Sequence, residues 1–125
     1  MMAKLKGKLK RKRIYEPPSG DDGFRVFVER LWPRGVSKDK AGIDLWLKEI
    51  APSSELRRWF NHDPAKWREF QERYLSEIRD KADLYEQILE PLKKKNVTLL
   101  YGSREENFNA ATVLIGFLQK TPKRS

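Results

Sequence analysis

The stretch VERLWPRGVSK, residues 28–38, gathers one acid, three basic side chains and an indole around a proline and a glycine. A guanidinium presents a planar fork of donors that matches phosphate or carboxylate through two parallel hydrogen bonds. Arg30 and Arg34 flank Trp32, and Lys38 adds a further positive charge, so together they make a candidate anion site. The indole of Trp32 could cover an aromatic ring or a ribose, while Pro33 and Gly35 stiffen the backbone and let a ligand approach it closely. The competing reading is structural: Glu29 or Asp44 pairs with Arg30, and the tryptophan fixes the loop. A second candidate group lies in GSREENFN, residues 102–109, where Ser103, Arg104 and Asn109 stand just ahead of a helical pattern. Free amides at a helix N-terminus favour anions. Ser103, Asn107 and Asn109 are equally ordinary capping and turn residues.

Acid–base chemistry has weaker candidates. Glu29, Asp44 and Glu105, with Glu49 beside them, could include a general base if burial raised a carboxyl pKa toward neutrality. Pairing with the surrounding Arg and Lys is the alternative for each. His62 in NHDP precedes a helix start, where capping or packing against Trp59 or Trp67 accounts for it. The chain has no cysteine and a single histidine, which excludes disulfides, thiolate nucleophiles and histidine-rich metal sites by inventory. GSREEN lacks the glycine spacing of a phosphate loop, so there is no nucleoside-triphosphate signature. Nothing in these residues specifies a cofactor.

The elements that must position these groups can be read from pattern and punctuation. A first strand is expected over Leu9 to Tyr15, followed by the turn-forming cluster PPSGDDG, residues 17–23. Phe24 to Leu31 reads as a strand whose centre, Val26, Phe27 and Val28, suits burial on both faces. Asp44 to Ile50 is too short to show a decisive period and is taken as a short strand closed by Pro52. Ser53 or Ser54 caps a helix that aligns Leu56, Trp59 and Phe60. Asp63 with Pro64 starts another, whose stripe is Trp67, Phe70, Tyr74, Leu75 and Ile78. The pattern continues through Leu84, Ile88, Leu89 and Leu92 to about Lys95, with Pro91 kinking or ending it. Val97 to Tyr101 has the composition of a buried strand, and a last helix carries Ala110, Val113, Leu114, Phe117 and Leu118 inward.

Strands separated by helices predict an α/β domain: a small Rossmann-like unit with a mostly parallel sheet of about four strands flanked by helices. In such folds ligands bind beyond the carboxyl ends of the strands. That places the candidate site at residues 29–38 and 102–109.

At 125 residues the chain has the size of one domain, here 9–119 between a basic arm, 1–8, and a basic tail, 120–125. The formal charge of +9 is terminal: ten of the 27 basic residues fall in 1–13 and 120–125, where there is no acid, which leaves residues 14–119 at −1. Such ends could attract phosphate polymers without regard to sequence, or simply stay solvated. No segment approaches the ~20 apolar residues of a membrane span, and the basic start is not followed by the apolar stretch of a signal peptide. A cytoplasmic location is the default expectation.

The blocks KRIYEP, DDGFRVFVERLWPRGVSK, IDLWLKEIAPSSELRRWFNHDP and TLLYGSREENFNAA closely resemble the YeaO-like branch of domain-of-unknown-function family 488, from about Lys12 to Leu118. The resemblance implies a Rossmann-like α/β fold and assigns no activity. Where the family usually has aspartate, lysine and a polar residue, this chain has Glu29, Arg104 and Phe108. A mechanism needing a polar group at Phe108 would fail here. No helix-turn-helix core supports a regulator reading. The expectation is a cytoplasmic domain that binds a small anionic ligand bearing phosphate or carboxylate, a nucleotide among the candidates, at the strand-end crevice. A nucleic-acid module using the basic ends, or a partner-binding domain without a ligand, are the rivals.

Overall fold

The computed structural model describes residues 7–120. Four strands, β1 (Leu9–Arg13), β2 (Phe24–Phe27), β3 (Leu45–Trp46) and β4 (Val97–Tyr101), form one sheet in the order β1-β4-β2-β3. Every pairing is parallel, with Arg11 opposite Leu99, Val26 opposite Leu99 on the other side, and Val26 opposite Leu45. β4 is buried along its whole length because strands flank it on both sides and side chains cover both faces. That explains its unbroken apolar sequence.

Alternation along β2 and β4 divides the core. Val26, Val28, Val97, Leu99 and Tyr101 face the larger cluster. It is built from α2 (Ser54–Phe60), α3 (Trp67–Arg79), α4 (Ala82–Leu92) and α5 (Ala110–Lys120). Phe27 and Leu100 face the opposite way, into a smaller cluster with Ile14, Trp32, Trp46 and Ala41 of the one-turn helix α1 (Lys38–Ala41). The longer helices therefore cover one face of the sheet, and irregular chain with a single helical turn covers the other.

The caps behave as their chemistry dictates. Ser53 Oγ accepts from Leu56 N at 3.1 Å and donates to Glu77 at 2.7 Å, so the start of α2 is fixed to α3. Asp63 accepts from Ala65 N at 3.0 Å and Pro64 opens a 3-10 turn, Pro64–Lys66, that leads into α3. Several expected bounds differ. β1 and β2 stop at Arg13 and Phe27, although Ile14 N and Val28 N each donate one more bond into the ladder, to Tyr101 and Leu100. The expected strand over Asp44 to Ile50 is two residues long, because Leu47 begins a 3-10 turn, Lys48–Ile50. α4 is separate from α3 and ends at Leu92, one residue after Pro91, which has no N–H to offer the Gln87 carbonyl.

Candidate functional site

β2 and β4 are neighbours, but the chain leaves them on opposite faces of the sheet. After β2 it runs toward the Trp32–Trp46 side, and after β4 it runs into α5 on the other side. Divergent exits open a crevice beyond the carboxyl ends of the two strands. A cavity of about 570 Å³ lies there, lined by Glu29 and Arg30 after β2 and by Gly102, Ser103 and Asn109 after β4. Arg57 and Arg58 of α2 and the turn residues Asn61 and His62 line it as well, with Phe60, Phe70, Phe108 and Leu31 as its apolar surface. Leu31 and Phe108 are among the few exposed large apolar side chains of the described residues.

Glu29 is the only carboxylate in this lining. Burial pushes its pKa above the ordinary carboxylate value; the backbone N–H groups of Gly102 and Ser103 and the positive charge of Arg57 act against that without cancelling it. Gly102 leaves room for this approach, since a Cβ there would stand 3.0 Å from Glu29 Oε1. Arg30 is weakly held by the protein: its contacts to Glu49 and to the Ala51 carbonyl are 3.4 and 3.5 Å, and its buried Nε meets no acceptor. Asn61 and His62 both adopt left-handed backbone, φ 45° and 55°, where Asn is a common helix terminator and His is not. The turn thereby carries His62 into the cavity lining, with its ring 6.4 Å from that of Phe60.

A family model described as the inactive DUF488-N3 subclade matches residues 8–125. The chain belongs to this family. It is 39% identical to the protein YeaO of Escherichia coli (strain K12) over 108 residues, 86% of this chain and 94% of that one. Over 74 residues it is 47% identical to Mb3100c of Mycobacterium bovis and to Rv3073c of Mycobacterium tuberculosis, 59% of this chain and 63% of each of those. No solved structure matches.

In this DUF488-N3 domain each of the two groups singled out from sequence is divided. Arg30, Glu29, Ser103 and Asn109 meet at the cavity. Arg34, Trp32 and Lys38 do not line it. Trp32 turns to the smaller core cluster, edge-on to Phe27 at 5.5 Å and to Trp46 at 5.4 Å, and donates to the Val36 carbonyl at 2.7 Å. Lys38 lies over that indole, 5.6 Å from its centroid, and Arg34 is exposed. Asp44 accepts from Arg25 N at 2.8 Å at the start of the β2–β3 pairing. Asn109 is nearly buried and caps α5, accepting from Thr112 N at 3.0 Å while its amide donates to Glu105 and Glu106 carbonyls. Arg104 and Glu105 line a shallower hollow with Ser103 and His62, and Glu105 itself accepts from Asn107 N at 3.1 Å.

Arg57 and Arg58 were missed because on sequence they are the polar side of a capped helix, a pattern that reads as solvated surface. Only the packing of α2 beside the end of β2 makes them part of a site. No helix of the described residues is long and apolar enough to cross a membrane, and none of their His, Asp and Glu groups forms a cluster able to hold a metal.

Proposed function

We propose that this domain is a cytoplasmic binder of a small anionic ligand, held in the crevice between the ends of β2 and β4. One observation carries the reading: three guanidinium side chains, Arg30, Arg57 and Arg58, share a cavity of about 570 Å³ with a single carboxylate. That volume lies within the range of small-molecule sites, roughly 300–1,000 Å³. Arg30 supplies an unmet buried donor, and buried donors without partners are rare in folded proteins. The apolar surface of Phe60, Phe70 and Phe108 suits a ligand that also carries a ring. The description of the subclade as inactive favours binding without turnover.

The test is calorimetric titration of the folded protein with inorganic phosphate and AMP, using thermal melting to verify folding. Saturable binding is expected, and Arg57→Gln with Arg58→Gln should weaken it roughly tenfold or more, as expected for charge-assisted hydrogen bonds. Arg34→Gln, which alters an exposed side chain off the cavity, should leave the affinity unchanged. Absence of saturable heat with either probe overturns the proposal.

A further inference from the structure

The cavity offers more than positive charge. Its one carboxylate, Glu29, is largely withdrawn from water, yet among the described residues no Lys, Arg or His nitrogen is in ion-pair contact with it. The backbone N–H groups of Gly102 and Ser103 favour its ionised form. An ionised carboxylate can accept about four hydrogen bonds, so acceptor positions are left over in a group that lines the cavity. A ligand that brought two adjacent donors would satisfy them.

The surroundings narrow what those donors are. An ammonium group would meet the repulsion of Arg30, Arg57 and Arg58, whereas hydroxyls bring no charge. The three arginines against Glu29 leave the lining two charges positive, which matches a phosphate monoester at about −1.5 to −2 near neutral pH. We propose that Glu29 is the specificity residue of this site and holds the vicinal diol of a phosphorylated ribose, whose phosphate lies on the arginines. This rests on the anion-binding reading and gives it a ligand class. The diol can come from a nucleotide or from a free sugar phosphate.

The experiment titrates the full-length protein and its Glu29→Gln variant with AMP, 2′-deoxy-AMP, ribose 5-phosphate and 2-deoxyribose 5-phosphate. In the wild type each deoxy probe should bind roughly tenfold to a hundredfold more weakly than its hydroxylated counterpart, the usual loss for a hydrogen bond to a charged group. Glu29→Gln should narrow that gap to about threefold or less by weakening the hydroxylated probe. Tighter binding of AMP identifies a nucleotide as the source, and tighter binding of ribose 5-phosphate a sugar phosphate. Equal wild-type binding of hydroxylated and deoxy probes overturns this inference while leaving anion binding intact, and no binding of any probe overturns both. The wild-type comparison decides even if Glu29→Gln fails to fold.

Discussion

Asp22 and Glu29 are carboxylates at opposite ends of β2, and their surroundings shift them in opposite directions. Asp22 is buried, which alone would raise its pKa, but the Ser19 N–H together with Lys12 and Arg25 outweighs burial and holds it below the ordinary value. Its partner Arg25 is as deeply buried and also donates to the carbonyls of Ala41 and Gly42, at 2.7 and 3.0 Å. Asp22→Ala therefore leaves a buried guanidinium unpaired and should cost roughly 3–5 kcal/mol in urea unfolding. The sign with pH follows from the lowered value: Asp22 contributes stability above the unfolded carboxyl pKa, near 3.8, which is lost as pH falls through the still lower folded one. Wild type should show that acid-side loss as pH falls below about 4, and Asp22→Asn should lack most of it. Glu29 has the opposite linkage. Its raised pKa favours folding at low pH, and that contribution is lost as pH rises through its folded value. A group that opposes folding at neutral pH is better explained by binding than by stability.

At the scale of elements, the site depends on β2 starting in register with β4, and Asn96 fixes that register. Its side chain accepts from Lys8 N at 2.8 Å and donates to the Asp21 carbonyl at 2.9 Å, while its own carbonyl accepts from Phe24 N at 2.9 Å. Gly23 makes this possible, with φ 64° and an approach so close that a Cβ would lie 2.1 Å from Asn96 O. Gly23→Ala should destabilise by roughly 2–4 kcal/mol, since both backbones would have to move. Gly20→Ala, where a Cβ would meet nothing within 4 Å, should stay within about 0.5 kcal/mol. Equal costs in chemical unfolding would remove this account. The turn cluster was legible in PPSGDDG, but the glycine that abuts Asn96 was not, because its neighbour lies 73 positions away. Ser53, Asp63 and Pro64 were legible for the converse reason: a cap is a local bond. Trp32 misled because parity and face are decided by where β2 ends, and its chemistry suits a core as well as a ligand.

The whole molecule decides which positive charges have a use. Much of the basic N-terminal stretch is built into the edge strand. Lys12 pairs with Asp22, Arg11 bonds to the Glu106 carbonyl and Thr112, and Arg13 donates to the Ser103 carbonyl at 3.0 Å. The arginines of β1 therefore brace the loop that supplies Gly102 and Ser103 to the cavity, a role that composition cannot show. Lys4, Lys6, Lys123 and Arg124 lie outside the described residues, so the expected terminal arms are separable from the crevice by experiment. Removing residues 1–6 and 121–125 deletes those four charges and takes the formal charge from +9 to +5. Gly7, whose N–H donates to the Leu92 carbonyl at 3.1 Å, remains. If the crevice is the anion site, AMP affinity should stay within about twofold, because distant changes are nearly additive. Any attraction to single-stranded DNA should instead weaken, with a shallower dependence on salt, as fewer counterions are released. Calorimetry for the nucleotide and fluorescence anisotropy across a salt series for the DNA measure the two separately. Loss of AMP binding on truncation would assign the anion affinity to the chain ends and take it away from Arg30, Arg57 and Arg58.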